Sequence, residues 1–261
     1  MPERSIAVRS LGLRLPPHHR IERHTHDWHQ LVYATEGVMT VDTPVGSWVV
    51  PPHRAVWIPA GCEHTIRMTG VVRMRTVYLR PGLVHGVPAA CCVVHVSPLL
   101  RELILETLRL GMLADDVPEH VRLAGVLVDQ IAHTPEAPMR ITRPADARAR
   151  VVAERAQADL SVAVSLAQLA RAGGASVRTV ERLFVLETGM TFGRWLQHVK
   201  ALHALERLAA GDSVTAAGLA VGYDSTSAFI AMFKRVLGTT PGNYFKQEPA
   251  GPPQTRAMTR R

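Results

Sequence analysis

From residue 20 to about 80 the chain alternates short β-rich runs with turn residues. WHQLVYAT, VMTVDT, SWVV, VWIP, TIRM and VVRMRTVYL are broken by EG, PVG, PPHRA, AGCEH and TG. Runs of this length, punctuated by Gly and Pro, predict an antiparallel barrel or sandwich. The period changes after Pro98. In SPLLRELILETLRLGML, residues Leu99, Leu100, Leu103, Ile104, Leu108 and Met112 fall on one helical stripe, and PEHVRLAGVLVDQIAHT behaves alike. Two helices flanking the barrel are expected, their stripes either packed against it or forming a dimer seam. TPEAPMRITRPAD, with three prolines in thirteen residues, predicts a linker. From Asp146 onward the pattern is helical, with turns at GGAS, ETGMT, AGDS, VGYDS and LGTTPG.

The helical part contains a repeat. An offset of 49 residues superposes Gly173 on Gly222, Ser176 on Ser225, Phe184 on Phe233, Gly189 on Gly238 and Thr191 on Thr240. Each copy has one plan: a short helix, a glycine turn, a Ser-initiated second helix and a terminal glycine, which is helix-turn-helix geometry. If Leu166, Leu169, Val180, Leu183 and Phe184 face the core, Arg178, Thr179, Glu181 and Arg182 are left outward after the capping Ser176, at the positions that enter a major groove. The outward candidates of the second copy are Asp224, Ser225, Thr226, Ser227, Ala231, Lys234 and Arg235. TFGRWLQHVKALHALERLAAG reads as a connecting helix with Trp195, Leu196, Val199, Leu202, Leu205 and Leu208 as its buried stripe.

Composition adds class and partner. The 261 residues suit two cores, and 47% hydrophobic with 20% charged residues is the balance of a folded globular chain. No window approaches the roughly 18 uninterrupted apolar residues of a membrane span. MPERSIAVRSLGLRLPPHHR lacks the apolar core of a secretory signal, so a cytoplasmic protein with no membrane partner is expected. Net charge is +8; divided at 149/150, there are 16 basic and 14 acidic residues before and 14 basic and 8 acidic after. The helical part thus carries most of the excess, as phosphate neutralisation on double-stranded DNA would require. Cys62, Cys91 and Cys92 have no metal-type spacing and read as free thiols.

AVGYDSTSAFIAMFKRVLGTTPGNYF resembles the second-unit signature of the AraC/XylS transcription regulators, with Gly222, Tyr223, Ser225, Phe229, Phe233, Lys234, Gly238, Pro241 and Tyr244 in place. The resemblance covers about residues 150–247. It implies two recognition helices entering successive major grooves, and a sequence-specific regulator rather than an enzyme. The second helix is short of long polar side chains, so Thr226, Ser227 and Ala231 promise weaker base readout than Arg178 and Arg182.

In the first part, HTHDWHQ places His24, His26, Trp28 and Gln30 on one face of a regular strand, and VWIPAGCEH brings His64 forward. The pattern HxHx3Q, then Gly37, then PxGxxH resembles the short motifs of the cupin barrel, a jelly-roll-like fold. That family's site of two His, one Glu and a third His implies a divalent metal such as Zn, Ni, Mn or Fe on His24, His26 and His64. Gln30 stands where the Glu should be, as a fourth ligand weaker than a carboxylate. The alternative is that the histidines bond one another and line a metal-free pocket. Trp28, Gln30, Tyr33 and Trp57 are the candidate walls of an effector pocket; His29 and His53 read as surface residues, and His18 and His19 as part of a mobile arm. Catalysis by such a centre is disfavoured because Gln30 cannot serve as a base, with Glu36 and Glu63 the nearest carboxylates.

The expected architecture is multidomain α+β. A cupin-like sensor barrel spans 1–96, flanking helices 97–133, a linker 134–146, an all-α double helix-turn-helix domain 147–248 and a tail 249–261. Expected partners are DNA, a small-molecule effector, RNA polymerase and a second copy in a homodimer.

Overall fold

The computed structural model describes residues 5–245, so the tail 249–261 lies outside the described residues. The first half is built from β1 (Ile6–Leu15), β2 (Arg20–His24), β3 (His29–Thr43), β4 (Gly46–Val50), β5 (Arg54–Ile58), β6 (His64–Leu79), β7 (Cys92–His95), β8 (Met112–Ala114), β9 (Glu136–Ala137) and β10 (Arg140–Thr142), all paired antiparallel. The long strands β3 and β6 pair along most of their length and change their other partners midway. Gln30–Tyr33 of β3 pair β5 while Met39–Thr43 pair β4; Val72–Leu79 of β6 pair β1 while its first part pairs β2. The change falls where the register slips between Ala34 and Val38, at Gly37. Gly37 has φ +79°, and a Cβ there would lie 2.3 Å from the Val71 carbonyl oxygen, so only glycine takes this bend.

The result is two layers sharing β3 and β6. One runs β8-β1-β6-β3-β5-β7-β9 and the other β2-β6-β3-β4-β10. The sheet is not closed, which corrects the expected barrel: β8, β9, β2 and β10 remain edges. Alternation along the strands sorts the core. Val32, Ala34, Val56, Ile58, Val72 and Met74 face Met39, Val41, Trp48, Val50, Ile66 and Met68 between the layers. Leu31, Tyr33, Ala55, Trp57, Val77 and Leu79 point the other way and pack against α1 (Pro98–Leu110) and α2 (Pro118–Ala132), through Leu100, Ile104, Ala124, Leu127 and Ile131. The helical stripes are therefore core on one side, leaving Leu99, Leu110, Met112, Val121 and Val126 exposed.

Two expectations are corrected here. The N-terminal segment is not a mobile arm: β1 lies between β6 and β8, and His18 N–H donates to Met68 while Met68 N–H donates to His19. The linker is also ordered, contributing β9 and β10 to the sheet edges. Cys91 and Cys92 are buried and Cys62 half-buried, all free; burial pushes the Cys92 thiol up to about 12 and that of Cys91 higher still.

The second half comprises α3 (Ala147–Ala158), α4 (Leu166–Ala172), α5 (Val177–Thr188), α6 (Phe192–Ala209), α7 (Val214–Ala220), α8 (Thr226–Leu237) and α9 (Pro241–Tyr244). Its helices start on hydroxyl caps at Ser165, Ser176, Thr191, Ser213 and Ser225, and α5 and α8 stop at left-handed Gly189 and Gly238. The repeat differs from its sequence register in one respect. α8 begins 49 residues after α5, but α7 begins only 48 after α4, so the second turn is one residue longer. The equivalent turn glycines are consequently Gly174 and Gly222, with φ +67° and +74°, and Gly173 merely ends α4.

α6 buries two faces, which explains why Phe192, His198, Ala201 and Ala204 join Trp195, Val199, Leu202 and Leu205 in the core. One face holds the two helix-turn-helix units together and the other lies on the sensor sheet. Trp195 Nε1–H donates to Thr142 O at 3.0 Å, His198 Nε2–H to Arg140 O at 3.1 Å, and Thr40 Oγ1 to Glu206. Burial holds the His198 imidazole below its ordinary range, against the opposing carbonyl bond. The unfolded chain therefore takes up this proton first. His198 contributes stability fully above the ordinary histidine pKa of about 6.5, and loses it as pH falls below that value towards the folded one. His198→Gln, which keeps a donor, is expected to flatten the decline in melting temperature between about pH 7.5 and about pH 5. An unchanged slope would assign the dependence to other buried histidines.

Candidate functional site

The chain between β2 and β3 turns instead of running as a strand, yet it brings the predicted histidines together. His24 ends β2, His64 starts β6 opposite it, and His26 lies on the turn. Ring centroids are 4.3 Å apart for His24–His64, 5.2 Å for His26–His64 and 5.9 Å for His24–His26. One ring nitrogen from each lies within 4.8 Å of the others. Each Nδ1 meets a backbone carbonyl: His24 that of Glu22 at 2.8 Å, His26 that of Trp28 at 2.5 Å, His64 that of Cys62 at 2.9 Å. These bonds set Nδ1–H tautomers and leave three Nε2 lone pairs, the arrangement that metal-binding histidines adopt.

Two observations test whether the residues fit a metal. His64 is 1% exposed, and its Nε2 is buried with no hydrogen-bond partner among the described residues. Burial holds this imidazole down to about 4, so it is a neutral donor at any ordinary pH. The second observation concerns Gln30, which is 2% exposed. Its Nε2 donates to Thr76 Oγ1 and Tyr78 Oη, both at 2.9 Å, which turns Oε1 towards His26 Nε2 at 3.0 Å. With Nδ1 of His26 already donating, two acceptors face each other. A proton on His26, a cation among these atoms, or the rotated amide, with Nε2–H donating to His26 and the Thr76 and Tyr78 hydroxyls donating to Oε1, resolves that opposition. Three imidazoles and an amide oxygen form an uncharged set suited to a nitrogen-preferring divalent ion, so the residues fit.

A cavity of about 470 Å³ opens over the cluster, lined by His24, His26, Trp28, Tyr78, Arg9, Leu11 and Met112. The Arg9 guanidinium lies 4.5 Å from the Trp28 ring centroid. Of the predicted walls, Trp28 lines this cavity and Gln30 lies beneath it. Tyr33 and Trp57 do not: their parity points them into the helix-side core, where Trp57 Nε1–H donates to Pro88 O at 2.9 Å. His29 is half-buried, not a surface residue, because it stacks on Trp57 at 5.2 Å and accepts from Ala60 N–H. The carboxylates weighed as bases are engaged outward: Glu36 is exposed and paired with Arg73, and Glu63 is exposed and paired with Arg23. Arg9, Tyr78 and Thr76 escaped the sequence reading because no motif links them to the histidines; only the β1–β6–β3 pairing does.

In the helical half, α5 buries Val180, Leu183 and Phe184 and exposes Arg178, Glu181 and Arg182 together, as expected of a reading helix. Ser176 Oγ accepts from Thr179 N–H at 3.1 Å and lies 2.9 Å from Thr179 Oγ1, so both hydroxyls are partly engaged at the cap. α8 buries Phe229, Met232 and Phe233, and Ser225 caps Ala228 N–H. Ser227, Ala231 and Lys234 are exposed and Thr226 half-buried, while Arg235 reaches back to Gln197 Oε1 on α6 at 3.1 Å.

An open β-sheet half with a polar-based cavity, joined to two helix-turn-helix units on a shared helix, defines a DNA-binding regulator with a ligand-binding domain. The comparisons agree. An AraC-like ligand binding domain matches residues 11–139 and a helix-turn-helix domain residues 169–247. The chain is 35% identical to the HTH-type transcriptional regulator NimR of Escherichia coli (strain K12) over 232 residues, 89% of this chain and 85% of NimR. RipA, an HTH-type transcriptional regulator of Corynebacterium glutamicum, is 32% identical over 101 residues, 39% of this chain and 30% of RipA. Among solved structures, unsaturated fatty acid-bound ToxT of Vibrio cholerae covers 94% of this chain and 96% of its own at 11% identity and TM-score 0.39, too distant to carry weight. The chain belongs to the AraC family of transcription regulators. It is a sequence-specific DNA-binding protein with an N-terminal cupin-like sensor domain. No helix among the described residues is long and apolar enough to cross a membrane.

Proposed function

We propose that this regulator adjusts its DNA affinity to the occupancy of the sensor site. A divalent transition metal of the Zn, Ni, Mn and Fe group would be held by His24, His26 and His64 with Gln30, and an effector with an apolar body would fill the cavity above. The observation that carries the reading is the buried Nε2 of His64, without a partner among the described residues, beside two imidazoles whose Nδ1 atoms are likewise committed to carbonyls. When bound, the metal supplies a Lewis-acidic anchor for a donor atom of the effector. Trp28, Leu11 and Met112 provide its apolar walls and Arg9 a positive rim. Gln30 offers no base, and Glu36 and Glu63 are engaged outward, which supports sensing over catalysis. The exposed Leu99, Leu110, Met112, Val121 and Val126 support a homodimer. With RNA polymerase as its further partner, we place the protein in the cytoplasm.

Elemental analysis of full-length protein, purified without chelators, tests the metal. One equivalent of a first-row ion supports the reading, and none after incubation with Zn, Ni, Mn and Fe(II) salts rejects it. For the DNA side, Arg182→Ala is expected to cost about 1–3 kcal/mol at one base pair of the operator and relax specificity there, as for a guanine reader. Unchanged affinity and footprint would remove Arg182 from the interface.

A further inference from the structure

A second cavity, of about 400 Å³, lies on the other flank of the histidine cluster. Its wall is made by Arg20 and Arg23 of β2, Asp42, Thr43 and Pro44 at the end of β3, Glu63, His64 and Thr65, and Arg143 just beyond β10. This volume falls within the size range of small-molecule sites. Three guanidiniums meet two carboxylates, of which Asp42 is engaged from outside the wall and Glu63 by Arg23 within it, leaving Arg20 and Arg143 for a ligand. Asp42 accepts from Arg67 Nε at 2.8 Å and from Ser47 Oγ at 2.5 Å, and Glu63 pairs with Arg23 at 3.2 Å. Among the described residues Arg20 is paired only with exposed Glu22, at 3.6 Å. The Arg143 guanidinium has no ion pair or hydrogen bond among the described residues, although its backbone N–H is tied to Val45 O at 3.4 Å. A concave wall with two under-used guanidiniums, floored by the buried Thr43 and Thr65, is complementary to an oxyanion.

We propose that this cleft binds a small dianion, a phosphate monoester or a dicarboxylate, between Arg20 and Arg143. Two charges are needed because the guanidiniums stand on different elements and each accommodates one carboxylate or one edge of a phosphate. The position of Arg143 gives such binding a consequence. Two residues on, Ala145 N–H and Asp146 N–H donate to Glu187 Oε2 at 2.8 and 3.1 Å, and Glu187 sits on α5, the first reading helix. Arg150 of α3 holds the Ala145 carbonyl at 2.6 Å. An anion that draws in Arg143 therefore acts on a segment bonded directly to the DNA-reading half, independently of any metal.

Calorimetric titration of the full-length protein with inorganic phosphate, succinate and acetate tests the site. Saturable one-site binding of phosphate or succinate, with acetate weaker, is expected, and the tighter of the two identifies the ligand class. Arg143→Gln and Arg20→Gln should each weaken that binding about tenfold or more, the loss of a charge-assisted bond. Arg122→Gln, on the exposed face of α2, should leave it unchanged. The Arg143 side chain has no partner among the described residues and its backbone bond to Val45 O is unaffected, so its variant keeps the fold. Absence of saturation by phosphate and succinate, or equal affinity in the Arg143 variant, would overturn the proposal. So would probe-independent weakening of operator binding by Arg143→Gln, which would assign this arginine to a DNA phosphate.

Discussion

Replacing His26 and His64 together by alanine is expected to abolish stoichiometric metal binding while the protein still folds and binds DNA. In the proposed site the two rings would supply two of the three imidazole donors, and His64 is the buried one whose Nε2 has no partner among the described residues. Removing only a residue that orients a ligand typically costs metal affinity roughly 10–100-fold, so deleting two ligands should exceed that range. The folding cost should be small. Alanine at 64 removes the buried Nε2 that has no partner among the described residues, which offsets the loss of the Nδ1–H bond to Cys62 O. Elemental analysis and metal titration of the double variant check this. Metal content equal to that of the parent would place the site elsewhere.

Trp195→Ala is expected to destabilise the protein by about 3–5 kcal/mol for the lost aromatic volume. Trp195 is 1% exposed and packs against Phe184 at 5.1 Å and Phe192 at 6.2 Å between centroids, at the joint of the first helix-turn-helix unit with α6. Its indole N–H also satisfies Thr142 O at the end of β10, so the alanine variant leaves that carbonyl unpaired, at about 1–3 kcal/mol more. Trp195→Phe separates the two effects: it retains most of the packing and loses the bond. Thermal unfolding by calorimetry reads both variants. A Trp195→Phe protein as stable as the parent would show that the linker bond contributes nothing.

The helical half was the more legible from sequence, because its signals are local. Hydroxyl caps, turn glycines and a 3.6-residue apolar period mark each helix within a few residues, and Val180, Leu183, Phe184, Phe229 and Phe233 fall in the core as the pattern requires. The reading of GA, Gly174–Ala175, as the tight turn agrees with the structure, and only the repeat alignment shows the limit. Identity placed Gly173 on Gly222, whereas the left-handed φ identifies Gly174, one residue displaced by a longer second turn. The sensor half depends on pairings distant in sequence. β1 was missed because Arg9 and Arg14 interrupt its apolar positions, and the linker because three prolines mask two short edge strands. The histidines were found by a motif, although the strand alternation invoked for them does not hold across residues 25–28. Tyr33 and Trp57 show the converse: aromatic type suggested a pocket wall, but the pleat sends them to the helix layer.

The most direct test of coupling between the halves is the affinity of the full-length protein for an operator selected from random duplexes. It is measured on the metal-loaded protein, after removal of the ion by a chelator, and after its return. A change in affinity on removal that is restored by the metal, and is absent in the His26→Ala, His64→Ala double variant, is the predicted result. A ligand that favours one of two arrangements must shift the equilibrium between them. Identical affinity in all three states would contradict the account, leaving the histidine cluster without a role in DNA binding.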